Sequence, residues 1–331
     1  MKTACIYHSI DLDGWMSAAI VKHWFTENNR HNNYIIDGKE TARGGNPYNP
    51  NSLDFIGYNY GQSIPDLSKY DKVIMCDISF PKEEMIKLWD KLGVENMIWI
   101  DHHISAFKDV IGEEFLKDKV DLSTKYNGLR DLRFAACELT WKYFFPNEDM
   151  PEIVRLLGLY DSFRHKNTDE ETKVLEFQYG ARQRLTCYED CYEELGSANE
   201  LYTIKQKGKA IYEYLCTEAK QTYKNGFEIQ FYWAEDIGRH NGVPKQCAAK
   251  FICINKERFN PINFGIDYHK DGYDGACCFY LNKDKKWSFS LYNDNGLVDC
   301  SQIAKQYGGG GHKGAAGMIV DVEAFKSIVQ L

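Results

Sequence analysis

Apolar residues in the N-terminal half follow two periods in turn. Thr3–Tyr7 is a short, nearly unbroken apolar run, the pattern of a strand buried on both faces. It passes into apolar residues at helical spacing over Trp15–Phe25, namely Trp15, Ala18, Ala19, Val21 and Trp24. The alternation recurs downstream, where Lys72–Met75 predicts a strand, Pro81–Leu92 a helix opened by proline, and Met97–Ile100 a further strand. Strands separated by helices predict a parallel sheet, because a helical crossover returns the chain to the same end of the sheet. Asp37–Pro65 breaks the pattern with Gly, Asn and Pro throughout, including Arg43-Gly44-Gly45-Asn46-Pro47. It reads as a long loop over the surface, or as a lid carrying Arg43 to a ligand.

Phe134–Phe145 and Glu152–Leu159 read as helices and Tyr188–Tyr223 as a mostly helical connector. From Phe227 onward strand-like stretches dominate (Phe227–Trp233, Cys247–Ile254, Gly275–Tyr280, Trp287–Tyr292), followed by a helix around Gln302–Tyr307. The expectation is an α/β protein. A parallel-sheet N-terminal domain covers residues 1–187, a helical connector 188–224, and a smaller mixed α/β C-terminal domain 225–331. A cleft between the two domains is the expected place for a small ligand.

Composition narrows the partners. With 331 residues, 44% of them hydrophobic and 27% charged, the chain is long enough for two ordinary cores. A formal net charge of −8 excludes a broad basic surface, and with it a long nucleic-acid duplex as partner; a small phosphorylated ligand needs only a local pocket. The 11 cysteines are scattered with no CxxC pair, and no apolar signal segment follows Met1-Lys2, which together predict a reduced, cytoplasmic protein. No run approaches the roughly 18 apolar residues that a membrane span requires. A homodimer stays open.

Four acidic and histidine clusters fall where the predicted elements run out. His8-Ser9-Ile10-Asp11-Leu12-Asp13-Gly14, Cys76-Asp77 and Asp101-His102-His103 each follow a strand, and Tyr160-Asp161 ends a helix. In open parallel sheets ligands bind beyond the carboxyl ends of the strands, so the coincidence of three strand ends outweighs any single cluster. Taken singly, Asp-x-Asp-Gly is ordinary turn chemistry, and Asp77 and Asp161 suit helix caps. Adjacent histidines after an apolar strand have no such ordinary role. Carboxylates and imidazoles without thiolates form a donor set for Mn²⁺ or Mg²⁺ rather than for structural zinc. Phosphoester hydrolysis needs a hydroxide at neutral pH, neutralised phosphoryl oxygens and in-line alignment, and two metals about 3.5–4 Å apart supply all three. With Asp77 as a bridge, His8, Asp11, Asp13, His102 and Asp161 are enough to complete two coordination shells.

A fifth feature is Gly308-Gly309-Gly310-Gly311-His312-Lys313-Gly314. For 26 Gly and 9 His in this length, a chance Gly-Gly-Gly-Gly-His arises on the order of 1 in 3,000 per chain. A flexible linker would continue with polar residues, whereas this run leads into Ala315-Ala316-Gly317 and an apolar stretch. It reads as bare backbone that approaches an anion closely, with His312 and Lys313 as its charged partners.

These motifs, in this order, resemble those of the DHH phosphoesterases, named for the triplet present here as Asp101-His102-His103. His8, Asp11 and Asp13 resemble the family's first motif, Asp77 its second and Asp161 its fourth, while Gly308–His312 resembles the glycine-histidine signature of the C-terminal DHHA1-type domain. The resemblance implies that His8, Asp11 and Asp77 hold one metal and that Asp13, Asp77, His102 and Asp161 hold the second. It further implies that His103 lies near the scissile phosphate, that Asp101 orients the histidines, and that Gly309, Gly310, Gly311 and His312 bind substrate. Two departures stand out. The first motif is one residue shorter than in several relatives, and Ser290-Leu291-Tyr292 replaces a Ser-Leu-Arg, which leaves Arg164, Arg182 and Arg184 as candidate phosphate contacts.

The compact two-domain members that this chain resembles include nano-RNases and phosphatases of 3′,5′-bisphosphorylated adenosine. The expected activity is therefore metal-dependent hydrolysis of short oligonucleotides or linear dinucleotides to mononucleotides. The alternatives are a phosphatase of a bisphosphorylated nucleotide, a cyclic-nucleotide phosphodiesterase and, from a different class, a non-catalytic nucleotide sensor.

Overall fold

The structure, a computed structural model, describes residues 2–31, 33–36, 39–42, 52–112, 116–117, 120–121, 126–235, 245–257 and 259–330. These form two compact units, Met1–Ile211 and Tyr212–Leu331. The boundary falls within residues 188–224, the stretch expected as a helical connector.

The first unit is built on β1 (Thr3–His8), α1 (Leu12–His31), β2 (Asn33–Ile36), β3 (Lys39–Ala42), β4 (Leu53–Tyr58), β5 (Lys72–Cys76), α2 (Lys82–Leu92), β6 (Met97–Ile100) and α3 (Ile104–Val110). It continues through the short strands β7 (Leu116–Lys117) and β8 (Val120–Asp121) to the helices α4 (Ala136–Phe144), α5 (Glu152–Asp161), α6 (Glu171–Arg184) and α7 (Tyr188–Glu194); α8 (Ala198–Tyr223) begins in it. The four-stranded sheet runs β4-β1-β5-β6 and is parallel throughout. Side chains alternate between its faces and both faces are buried, which is why the strands read as continuous apolar runs. Cys5, Ile74, Cys76, Ile98 and Ile100 pack with residues of α1, α4, α5 and α6 on one side. Ala4, Ile6, Val73, Met75, Met97 and Trp99 pack with Met85, Leu88 and Trp89 of α2 and Phe107 of α3 on the other.

The long loop expected over Asp37–Pro65 is corrected in part. Leu53–Tyr58 is a sheet strand in register with Thr3–His8, and Lys39–Ala42 pairs with Asn33–Ile36. As the edge of the sheet, β4 carries Asp54, which accepts a hydrogen bond from the Tyr70 hydroxyl at 2.7 Å and pairs with Lys2 at 3.0 Å. That polar residue, together with Gly57, breaks the apolar run by which a strand is recognised. Arg43, the residue of the proposed lid, lies outside the described residues.

The second unit contains β9 (Phe227–Glu235), β10 (Lys245–Asn255), β11 (Gly275–Leu281), β12 (Trp287–Tyr292), α9 (Cys300–Gln306), β13 (Gly310–His312), β14 (Ala315–Val320) and α10 (Val322–Val329). Its six-stranded sheet runs β13-β14-β12-β11-β10-β9, with only β10 and β11 parallel. Phe231, Phe251, Cys277, Phe289, Leu291 and Met318 form one core face with Ile303 of α9 and Phe325 of α10. Asp299 and Asp321 cap these helices, accepting hydrogen bonds from Ser301 N and Ala324 N respectively. Among the described residues, no helix is long and apolar enough to cross a membrane.

Candidate metal centre

β1, β5 and β6 run out at one edge of their sheet, and each hands over to a candidate ligand. β1 ends on His8, with Asp11 in the turn after it and Asp13 in the first turn of α1. A Cβ at Gly14 would collide with the His8 carbonyl, so only glycine lets α1 start this close to the end of β1. Asp77 leaves β5 in the left-handed conformation, φ 62°, a region that Asp and Asn enter at lower cost than bulkier residues. Its N–H donates to the Ile100 carbonyl at 2.9 Å, which ties the turn to β6.

Asp101 follows β6 and is fully buried. Its Oδ1 accepts hydrogen bonds from His102 N at 2.7 Å, His103 N at 3.1 Å and His103 Nδ1 at 2.8 Å, and its Oδ2 accepts one from Trp99 Nε1 at 3.1 Å. The carboxylate is saturated by groups that it orients, so it positions both histidines rather than facing a ligand. Residues 127–131 run alongside, bridging Ile98 to Asn127 and Asp101 to Arg130, and the buried Arg130 donates to the Trp99 carbonyl at 2.9 Å.

Around this edge the side chains converge. His8 Nδ1 lies 2.7 Å from Asp11 Oδ2 and 3.5 Å from Asp77 Oδ2. His102 Nε2 lies 3.6 Å from Asp13 Oδ2 and 3.3 Å from both Asp77 Oδ1 and Asp161 Oδ2. His103 Nδ1 is 3.7 Å from Asp77 Oδ1. Three donor groups result, His8/Asp11/Asp77, Asp13/His102/Asp161 and Asp77/His102/His103, with the donor atoms of each within 4.8 Å of one another. The first two are separate sets of three ligands, and the third joins them through Asp77 and His102. All six residues expected as ligands are therefore brought together.

This arrangement fits divalent cations. Asp77 Oδ1 is buried without a hydrogen bond of acceptable geometry, a state that costs free energy unless something else is coordinated. The charges lead to the same conclusion. Burial opposes protonation of His8, yet Asp11 and Asp77 push its pKa up to about 10. His102 and His103 are raised in the same way against burial, by Asp77, Asp13 and Asp161 and by Asp101 and Asp77 respectively. Burial raises Asp13, helped by Asp77 and Asp161, and carries Asp161 up to about 6 despite the nearby His102. Burial also works against the Asp77 carboxylate, but His102 and His8 hold it below the ordinary range. The raised imidazoles would hold protons that balance the carboxylates, and a bound cation would replace that charge and release them.

A pH dependence follows. Metal binding near pH 7 should release protons, and apparent affinity should climb from pH 6 to pH 8. Raised imidazole pKa values and protonation of Asp161 below about 6 both disfavour binding on the acid side. Calorimetric titration with Mn²⁺ in two buffers of different ionisation enthalpy measures the release directly. An affinity flat with pH and independent of buffer would contradict the charge balance.

Asp13 also serves a second element. Its Oδ2 and Oδ1 accept hydrogen bonds from Ala136 N at 2.9 Å and Cys137 N at 2.7 Å, so it closes the open N-terminus of α4 from another part of the chain. Glu138, buried in the same helix, accepts from Ala135 N at 3.0 Å and pairs with Arg164.

Of the arginines expected as phosphate contacts, two are held by carboxylates and one by a neutral hydroxyl. Arg164 pairs with Glu138 and donates to Ser162 Oγ at 2.8 Å. Arg182 donates to the Tyr160 hydroxyl at 3.2 Å, on the residue before Asp161. Arg184 pairs with Glu194. In the second unit, Gly308 turns the chain at φ 75°, and a Cβ on Gly309 would collide with the Gly317 carbonyl. Gly310, Gly311 and His312 then form β13, an edge strand that turns one row of backbone groups away from the sheet. His312 and Lys313 are exposed. Sequence reasoning missed Tyr60, whose ring centroid lies 6.1 Å from that of His8; it stands alone after an unrecognised strand, with no motif to mark it.

A parallel sheet whose carboxyl edge gathers these carboxylates and imidazoles around an Asp-His-His triplet is a candidate centre for divalent metal. Residues 3–159 match the model of the DHH family, N-terminal domain. The uncharacterized protein R106 of Acanthamoeba polyphaga mimivirus is 24% identical over 323 residues, which cover 95% of this chain; the chain spans 66% of that relative's length. Among solved structures, the pGpG-specific phosphodiesterase PggH from Vibrio cholerae is 14% identical with a TM-score of 0.53, over 100% of this chain and 97% of its own. An exopolyphosphatase-related protein from Bacteroides fragilis is 11% identical with a TM-score of 0.48, over 99% and 90% of the two chains. The likeness to PggH is one of fold.

Proposed function

We propose that this protein is a two-metal phosphodiesterase that hydrolyses linear dinucleotides or short oligonucleotides to mononucleotides, with Mn²⁺ or Mg²⁺ as its cofactor. The observation that carries the reading is the pair of three-ligand groups, His8/Asp11/Asp77 and Asp13/His102/Asp161, adjoining at the 3.3 Å approach of Asp77 to His102. Paired divalent ions, when bound, supply a hydroxide at neutral pH and neutralise phosphoryl oxygens. The protein's own part is positional. Asp77 joins the two groups. Asp101 holds Nδ1 of His103, which leaves the opposite ring nitrogen available to donate to a phosphoryl oxygen or the leaving oxygen. Gly309, Gly310, Gly311 and His312 offer an anion-binding segment in the second unit, and Arg182, held by the neutral Tyr160 hydroxyl, offers a further charge in the first. The fold neighbour PggH acts on pGpG, a substrate of the proposed kind. The scattered cysteines suit a reducing, cytoplasmic setting.

The test is turnover with Mn²⁺ of pGpG and mixed dinucleotides against 3′-phosphoadenosine 5′-phosphate, cyclic dinucleotides and pyrophosphate. Preference for the linear dinucleotides is expected. Preference for the bisphosphate or the cyclic compounds would replace the reading with a phosphatase or a cyclic-nucleotide phosphodiesterase. Tight nucleotide binding without turnover under any divalent metal would make the protein a sensor.

A further inference from the structure

Phe163 occupies a position that neither packing nor backbone preference explains. It lies two residues beyond Asp161, just past the end of α5, with φ 57°. Helices often end on such a left-handed residue, but that residue is usually Gly or Asn, because a side-chain Cβ crowds the following carbonyl. Among the described residues the other non-glycine cases are Asp77, Asn167, Lys285 and Gln330, so Phe163 is the one aromatic residue in this conformation. Burial does not offset the strain, since Phe163 is 64% exposed. Nor is it the only large apolar side chain in water here. Ile10, between His8 and Asp11, is 64% exposed, and Tyr60, beside His8, is 54% exposed. Strained residues and exposed apolar groups beside a reactive centre are what a ligand-contacting rim requires.

We propose that Phe163 is a substrate-specificity residue that stacks a nucleobase of the phosphoester substrate next to the metal centre. The inference rests on the phosphodiesterase reading above and names the part of the substrate that the rim recognises. An aromatic face suits any nucleobase. Lys166, with Nζ 5.0 Å from the ring centroid, adds a positive charge suited to the phosphate attached to that base. The left-handed backbone leaves the ring exposed two residues along the chain from Asp161.

The experiment compares kcat/KM for pGpG and for the corresponding abasic dinucleotide, in the wild type and in Phe163→Ala, Phe163→Gly and Phe163→Trp. Loss of stacking should lower the ratio of pGpG to abasic turnover about 10-fold or more in Phe163→Ala and Phe163→Gly, mainly through KM, while Phe163→Trp retains it. Phe163→Gly should also raise Tm by about 1–3 °C, because relief of left-handed strain outweighs the lost side chain. A ratio unchanged in Phe163→Ala, with the wild type active on pGpG, would overturn the stacking role and leave the phosphodiesterase reading standing. An equal loss on both substrates with lowered Tm would make Phe163 structural and would also overturn the proposal. A wild type that turns over neither compound would remove the phosphodiesterase reading, and this inference with it.

Discussion

Asp77→Asn should abolish turnover, by about 10³-fold or more, and leave the fold in place. Every donor group except Asp13/His102/Asp161 contains Asp77, so one carboxylate oxygen lost to an amide weakens the His8/Asp11/Asp77 group and the contact that joins it to the other. The substitution is conservative where stability is concerned. Asn accepts the left-handed φ of 62° as readily as Asp, and the N–H bond to Ile100 is a backbone bond that no side-chain change removes. Metal-free Tm should therefore move by only a few degrees. Metal stoichiometry measured by mass spectrometry or calorimetry should fall below that of the wild type. An Asp77→Asn protein that keeps full activity with a full metal complement would refute the central role assigned to this residue.

The second large effect belongs to Asp13→Ala, and it separates two roles carried by one side chain. As a candidate ligand with His102 and Asp161, Asp13 should be indispensable to turnover, with a loss again of about 10³-fold or more. As the acceptor for Ala136 N and Cys137 N, it should also protect two amides at the start of α4. Hydrogen exchange of those two amides should accelerate in the variant, while exchange in β1, β5 and β6 stays unchanged. In the wild type, saturating Mn²⁺ should stabilise the protein by about 2.7 kcal/mol at a hundredfold excess over Kd; in Asp13→Ala most of that gain should vanish. Unchanged exchange at Ala136 and Cys137 would show that the carboxylate does not close this helix.

Much of the site was legible because its signal is local. His8, Asp77 and Asp101 each follow an apolar run, and three such coincidences in an alternating β/α pattern point to one sheet edge. The edge strand Leu53–Tyr58 was not legible, since Asp54 and Gly57 interrupt its apolar pattern and only pairing with Thr3–His8 makes it a strand. The arginines show the converse difficulty. Arg164 and Arg184 look like free cations in the sequence, yet buried Glu138 and Glu194 take them up. A charge reveals its availability only once its neighbours in space are known. Phe163 escaped for a related reason, because an exposed left-handed phenylalanine has no sequence period.

From the amino-acid order alone came the α/β class, the identity of the six candidate ligands and the chemistry that carboxylates and imidazoles share toward hard divalent ions. Those properties depend on residue type and on spacing along one strand or turn, so they survive without coordinates. Tertiary structure alone decided that Leu53–Tyr58 pairs with Thr3–His8, that buried Glu138 takes up Arg164, and that Asp13 closes a helix more than a hundred residues away. Each of these is a matter of distance between parts of the chain remote in sequence, and only the packing of the parallel strands and of α4 against one another sets such distances.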